Sequence, residues 1–172
     1  MFKKIALISL VIVLGLVNWS IAGKEKHLAE GQLAFLDLAP VDPRSLMQGD
    51  YMALRFRLAN EVRNAVIKTD EQRRTSGSSD GFVVVSLDTQ NIASFKSIYD
   101  GQAITDGDIL MRYRIRNGVV KLATNAFFFQ EGKADVYQAA RYGAFRIDDE
   151  GELLLVSMHD KDLNKLGLVR SE

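Results

Sequence analysis

The sequence predicts a mainly β fold of the α+β class: an N-terminal transmembrane helix, then one antiparallel sheet or partly open β-barrel with two or three short helices. Three observations lead to this prediction. The residues from Ile5 to Ala22 carry no charge, later segments alternate apolar and polar side chains as half-buried strands do, and Asn117-Gly118 is typical of a tight β-hairpin turn. We therefore divide the chain into a membrane anchor, residues 1–23, and an extracytoplasmic β-rich domain, residues 24–172.

The apolar N-terminal segment has two interpretations. Its 18 residues span roughly 27 Å as a helix, which is close to the hydrocarbon thickness of a bilayer. A cleaved signal peptide is one interpretation, because Ser20-Ile21-Ala22 offers small residues before a cleavage point. An uncleaved anchor is the interpretation we favour, because Trp19 suits the membrane interface and Lys24 and Lys26 follow at once.

The orientation of the anchor follows from its flanking charges. The terminal amine, Lys3 and Lys4 precede the apolar segment, while Lys24 and Lys26 follow it. This gives a weak positive-inside bias, so we expect the soluble domain to face away from the cytoplasm.

The first half of the domain predicts two strands and a helix. Leu33 to Leu38 reads as a strand, after which Pro40 and Pro43 should stiffen the arm from Ala39 to Asp42. Asp50 to Leu58 alternates strictly and predicts a half-buried strand. The residues on its apolar face are Met52, Leu54, Phe56 and Leu58, and those on its polar face are Tyr51, Ala53, Arg55 and Arg57. Asn60 to Lys68 changes to helical spacing, and Asp70 to Gly81 reads as an exposed loop.

The second half predicts a run of antiparallel strands with one further short helix. The predicted elements, in order, are a central strand Phe82 to Leu87, its partner Ile92 to Tyr99, an alternating strand Asp108 to Arg116, its return strand Val119 to Phe129, a helix Ala134 to Tyr142 capped by Gly143, a hairpin Ala144 to Ile147 with Leu153 to Ser157, and a helical turn Asp160 to Leu166. We count seven or eight strands.

Three stretches resemble one known family. GDYMALRF (residues 49–56) is similar to the motif that names the GDYxxLxY family of bacterial membrane-anchored proteins, with Phe56 where the name has Tyr. PVDPRSL (40–46) and FFFQEGKADVYQAARYG (127–143) resemble further stretches of that family. The resemblance implies a single-pass protein of the bacterial inner membrane, with a periplasmic domain that associates with a polytopic membrane protein. It implies no activity and no catalytic residues.

Composition and spacing speak against several chemistries. The 22 basic and 22 acidic residues balance, which argues against a nucleic-acid binder. The chain has no cysteine, which excludes disulfides, zinc–thiolate sites and cysteine nucleophiles. Ser157, His159 and Asp160 lie too close in sequence to be expected as a triad. We assign no catalytic residue, no metal ligand and no cofactor.

Two groups of polar residues remain as candidate binding surfaces. One combines the proline-rich arm and strand entry with the predicted third helix, and its members are Asp42, Arg44, Asp50, Tyr51, Glu131, Asp135, Tyr137 and Arg141. Tyr137 and Arg141 should be neighbours on one helix face. The other group is the arginine rows of two strands: Arg55 and Arg57, and Arg112, Arg114 and Arg116. We expect these rows to be solvated faces paired with carboxylates, the alternative being a docking face for anionic lipid or an acidic partner loop.

These observations lead to one expected function and one alternative. We expect a non-catalytic, membrane-anchored periplasmic domain that associates with an integral membrane partner. The alternative is a periplasmic domain that binds a small anion or a peptide, with hydrolysis as a further option, through the first of these two groups of polar residues.

Overall fold

The computed structural model describes residues 2–39, 47–48, 51–70 and 78–167. The proline-rich arm and most of the predicted 70–81 loop lie outside the described residues. In chain order the elements are α1 (Phe2–Glu30), β1 (Gln32–Asp37), β2 (Met47–Gln48), β3 (Tyr51–Ala53), α2 (Arg57–Asp70), β4 (Ser79–Leu87), β5 (Ala93–Ile98), β6 (Asp108–Arg116), β7 (Val119–Lys121), β8 (Ala126–Phe128), α3 (Ala134–Tyr137), β9 (Tyr142–Ile147) and β10 (Leu153–His159).

The strands form three antiparallel sheets. The anchor sheet has the order β1-β9-β10, the motif sheet β2-β3-β8, and the large sheet β5-β4-β6-β7. Single backbone contacts join them: the Phe35 amide donates to the Asn91 carbonyl at 2.8 Å, the Arg112 amide donates to the Gly151 carbonyl at 2.8 Å, and Leu38 bridges to Phe56. The predicted mainly β, α+β class with a partly open barrel is confirmed, because these sheets include a half-barrel.

One hydrophobic core lies inside the three sheets and α2. The largest side chains that are fully buried come from every sheet and from the helix, and they are Phe145, Leu36, Met52, Met111, Met158, Val62, Val83 and Val85. Because the core draws on elements far apart in sequence, the described residues from 32 onward form a single packed domain.

Several predicted elements are confirmed. β4 is central, with β5 on one side and β6 on the other, as its continuous apolar sequence predicts. Asn117 and Gly118 have φ of +52° and +71°, the positive values that a type I′ turn requires. Met111 and Tyr113 are buried, and α1 continues past the apolar segment to Glu30.

The strand predicted from Asp50 to Leu58 is too long. β3 ends at Ala53 and α2 begins at Arg57. The predicted buried face is nonetheless right, because Met52, Leu54 and Phe56 are all buried. Leu58 is also buried, but as part of α2, where it lies one turn before Val62. Leu58 therefore fits the period of both a strand and a helix, and the alternation alone could not show where one ends.

Three further predictions are wrong in their boundaries. Ser79 to Gly81, predicted as loop, belong to β4 and pair with β6. The return strand predicted from Val119 to Phe129 is divided, because the chain leaves the large sheet after β7 and enters the motif sheet as β8. The structure also has ten short strands in its described residues, more than the seven or eight predicted.

The predicted helix from Ala134 to Tyr142 is also too long, since α3 ends at Tyr137 and Tyr142 already belongs to β9. Gly143 is not a helix cap. A Cβ atom at this position would lie 3.0 Å from the Phe145 ring and 3.4 Å from the Phe56 ring, so close packing inside the sheet explains the glycine. The predicted helical turn at Asp160 to Leu166 is a non-helical turn, held by the Asp160 carboxylate, which accepts from the amides of Asp162 and Asn164.

Replacement of Gly151 by alanine should lower the free energy of unfolding by more than the roughly 1–2 kcal/mol that a left-handed backbone alone costs a residue with a Cβ. Gly151 has φ of +74°, and an added Cβ would lie 3.1 Å from the Leu110 carbonyl oxygen. Gly101→Ala is the matched control, because Gly101 also has positive φ but nothing lies within 4 Å of an added Cβ. Denaturant unfolding should show the larger loss for Gly151→Ala, and equal losses would contradict the packing between the hairpin and β6.

Candidate functional site

The two motif stretches meet in space. β3 of the GDYMALRF stretch pairs with β8 of the FFFQEGKADVYQAARYG stretch, with Tyr51 opposite Phe128. The Tyr51 ring lies 5.7 Å from the Phe128 ring. Further along the motif, Phe56 packs edge-on against Phe145, at 5.4 Å and 76°. The described part of the motif therefore builds a strand and fills the core.

The predicted binding residues lie in different surroundings. Asp42, Arg44 and Asp50 lie outside the described residues, so their role stays a prediction. Tyr137 is not beside Arg141 on a helix, because α3 has already ended. Its ring packs against Phe127 at 5.0 Å and against Phe129 at 5.1 Å, which makes it part of the core.

Two acidic members of the group lie on the surface near α3. Glu131 is exposed in the turn before this helix. Asp135 is exposed in its first turn and accepts a hydrogen bond from the Gln138 amide at 2.9 Å. Among the described residues neither is paired with Arg141, whose carboxylate partner is Asp37.

Arg141 instead belongs to an ion-pair cluster at the end of β1. Its Nε lies 3.1 Å from Asp37 Oδ1, and its Nη2 donates to Asp37 Oδ2 at 3.3 Å. Arg57 Nε lies 3.3 Å from the same Oδ2. Oδ1 makes no hydrogen bond of good geometry, so the Nε contact is electrostatic. Two arginines on one largely buried carboxylate brace β1 against α2 and the start of β9.

The arginine rows are mostly paired with carboxylates, as expected. Arg112 donates to Glu152 at 2.7 Å, and Arg116 donates to Asp80 at 2.6 Å. The hydrogen bond from Arg116, with the charge of Arg112 nearby, lowers the pKa of Asp80 below its ordinary value of 3.8. The two rows do not lie on neighbouring strands, because Arg55 lies between β3 and α2 and Arg57 begins α2, whereas the other three arginines lie on β6.

Ser157 and His159 form a hydrogen bond with each other. Residues two apart on a strand share a face, and Ser157 Oγ lies 2.9 Å from His159 Nε2. His159 Nδ1 lies 2.8 Å from the Leu163 carbonyl oxygen. Ser157 is buried, and the His159 ring packs edge-on against Phe35. The pair therefore secures the turn after β10 and does not open onto either of the clefts described below.

A joint that the sequence did not reveal connects α1 to the domain. His27, in the last turn of α1, is only 7% exposed. Its Nε2 lies 2.8 Å from the Arg146 carbonyl oxygen, and its Nδ1 lies 3.2 Å from Asp148 Oδ2. Both partners are acceptors, so the imidazole donates to both only when both of its nitrogens carry hydrogen.

Gly31 completes this joint on the other side of the helix end. Arg146 Nη1 donates to the Gly31 carbonyl at 2.9 Å. A Cβ at Gly31 would lie 2.5 Å from the His27 carbonyl oxygen and 3.1 Å from Arg146 Cβ, so only glycine allows β9 to approach this closely. We call the contacts among His27, Gly31, Arg146 and Asp148 the joint.

Gly31 is the one residue of the joint whose type could have indicated part of it from the sequence, because glycine often follows the last residue of a helix. Its partners lie more than one hundred residues away in sequence, where no local pattern identifies them.

One cleft of the domain lies beside the joint, and another lies beside the motif segment. The proximal cleft has a volume of about 590 Å³ and lies between the end of α1 and the acidic turn after β9, with Lys26, Glu30 and Asp149 among its lining. The distal cleft, of about 450 Å³, lies between α2 and β7. Within the described residues, no group of three or more His, Cys, Asp or Glu side chains is placed to hold a metal ion.

A family model described as GDYXXLXY protein matches residues 13–158. The matched span runs from the middle of α1 to the end of β10, so it includes the joint and both clefts and confirms the resemblance seen in the sequence. Comparison with curated proteins gives no match, and comparison with solved structures gives none either.

Replacement of His27 by alanine should lower the free energy of unfolding by about 1–3 kcal/mol, because the Asp148 carboxylate and the Arg146 carbonyl lose their partner in a buried position. Thermal or denaturant unfolding of the full chain in detergent micelles measures the loss. The matched control is Lys26→Ala one position earlier, whose side chain is exposed and only 3.6 Å from Glu30. Its effect should stay within about 0.5 kcal/mol, and equal effects of the two changes would contradict the joint.

Proposed function

Because the chain belongs to the GDYXXLXY family and connects a membrane-length helix to a β domain through the joint, we propose that it is a non-catalytic, membrane-anchored periplasmic domain that associates with an integral membrane protein. The observation that carries the proposal is the joint, since it holds the domain in one orientation relative to α1.

The character of α1 supports a membrane-spanning role. It is the one helix in the described residues that is long and apolar enough to cross a bilayer. Its apolar side chains are exposed on all sides, with Trp19 83% exposed. A helix that lies on a membrane surface would have one polar face, whereas a helix that is apolar all round suits a lipid environment on every side.

The continuity of α1 supports a fixed position at the membrane surface. The helix continues from Gly23 to Glu30 without interruption, which adds roughly 12 Å beyond the apolar segment. The joint then follows directly, with Gly31 as the sole residue between α1 and β1. A domain that acted alone on a soluble substrate would have no need of a fixed angle to the bilayer. A domain that docks on a membrane protein benefits from it, because the docking surface is presented at a constant height and orientation.

The arrangement of polar groups supports a non-catalytic role. Within the described residues, the Ser157–His159 hydrogen bond is partly buried, and Arg112, Arg116 and Arg141 are paired with carboxylates that brace the sheets. These contacts stabilise the domain and leave no assembled nucleophile and base in either cleft.

The orientation can be tested by cysteine labelling, since the native chain has no cysteine to give background. Gln102→Cys introduces a thiol at an exposed position of the domain, and a cysteine inserted after Met1 marks the other end of α1. In spheroplasts, a membrane-impermeant maleimide should label the Gln102→Cys protein before lysis and the N-terminal cysteine only after lysis. The reverse pattern would contradict a periplasmic domain.

The association can be tested by purification from native-level expression in mild detergent. The full chain should co-purify with an integral membrane protein in stable proportion. The control is the same domain delivered by a cleavable signal peptide in place of residues 1–22, which should lose most of the partner because α1 no longer fixes its orientation. A full chain that elutes alone, or a control that retains the partner equally well, would count against the proposal.

A further inference from the structure

The distal cleft lies at the opposite end of the anchor sheet from the joint. β1 begins at Gln32, beside the joint, and ends at Asp37; the next residue, Leu38, bridges to Phe56, which lines the cleft. At about 3.3 Å per residue, this places the cleft roughly 20 Å from the end of α1. A ligand of this cleft would therefore reach the domain from the aqueous phase.

The floor of the distal cleft is apolar. Leu54, Phe56 and Leu122 line it and are buried in the core beneath. Val119 lines it as well and is 54% exposed. The cleft therefore offers uncovered apolar surface beside the described part of the family motif.

The charged residues of the cleft are both cations. Arg55 and Arg63 line it and are exposed, and no acidic side chain is among its lining. Within the described part of the chain neither arginine has an ion pair. Four other arginines of the domain, Arg57, Arg112, Arg116 and Arg141, each lie within 3.5 Å of a carboxylate oxygen. Arg114 and Arg146 have no ion pair in the described part of the chain either, but neither of them lines the cleft.

Two amide side chains add hydrogen-bonding groups. Asn60 and Arg63 lie one turn apart on the same face of α2. Asn125 lies across the cleft, and its backbone carbonyl accepts from the Leu54 amide at 2.7 Å. This bond holds the Asn125 side of the cleft against the motif segment, so the two walls keep a defined separation.

From this arrangement we infer that the distal cleft binds a small amphipathic anion, whose carboxylate or phosphate group contacts Arg55 and Arg63 and whose apolar part covers Val119 and the floor. Guanidinium groups suit both anions, because their fork of donors matches paired oxygens. A volume of about 450 Å³ lies within the range of small-molecule sites. The sequence raised anion binding as an alternative function of another group of polar residues, whereas the inferred site uses Arg55 and Arg63. This inference does not depend on a membrane partner.

The test is calorimetric titration of the full chain in detergent micelles with hexanoate, butyl phosphate and inorganic phosphate, with hexanol as an uncharged probe. Hexanoate or butyl phosphate should saturate one site per chain, and the tighter of the two identifies the anionic group. Arg55→Gln and Arg63→Gln should each weaken that binding about tenfold, the loss of roughly one charge-assisted hydrogen bond. Arg114→Gln is the matched control, since Arg114 is exposed on β6 and is not among the residues that line the cleft, and it should leave the affinity unchanged.

Any one of four other outcomes would overturn the inference. These outcomes are the absence of saturable binding by either probe, hexanol that binds as tightly as the anions, inorganic phosphate that binds as tightly as butyl phosphate, or an equal loss with Arg114→Gln. Because all three arginines are exposed, none of the three replacements should prevent folding. The thermal unfolding transition of each variant checks this independently of ligand binding.

Discussion

The contact between His27 and β9 is the constraint on which the relation of α1 and the β domain depends. β9 is the central strand of the anchor sheet, and two successive residues of it have different roles. Phe145 is completely buried in the core, while the next residue, Arg146, binds both ends of the joint through its carbonyl and its guanidinium. Without these contacts, α1 would meet the domain through one glycine and could swivel. With them, the orientation of the helix is tied to a strand that the whole core holds in place.

Much of the fold follows from periodicity, and the errors occur where two periods or two partners compete. Met52 and Phe56 are buried as alternation predicts, although the strand ends between them. Val119 to Phe129 reads as one strand, yet the chain changes sheet partway, which local pattern does not encode. At Gly143 the sequence resembles a helix end, but the residue serves the approach of Phe56 and Phe145 within a sheet. Tertiary packing decided each of these positions.

The polar contacts were harder to predict than the strands. Carboxylate partners for Arg112 and Arg116 could be expected from charge balance, although their identity could not. Arg141 was expected beside Tyr137 and is found on Asp37, because the short α3 releases the chain into β9 earlier than helical spacing implies. His27 carried no signal beyond its place after an apolar segment. Such contacts join residues distant in sequence, and only the folded topology brings them together.

Because one uninterrupted helix runs from the apolar segment to the joint, the domain has a fixed rotation about the axis of that helix. Each residue of an α-helix rotates the chain about the helix axis by about 100° and advances it along the axis by about 1.5 Å. The number of residues between Ala22 and His27 therefore sets which side of the domain faces a given side of the apolar segment. One inserted residue would leave the domain folded and at nearly the same distance, but it would turn a different face of the domain toward any neighbour of the apolar segment. The length of the helix between the apolar segment and the joint therefore affects the direction in which the domain faces more than its distance from that segment.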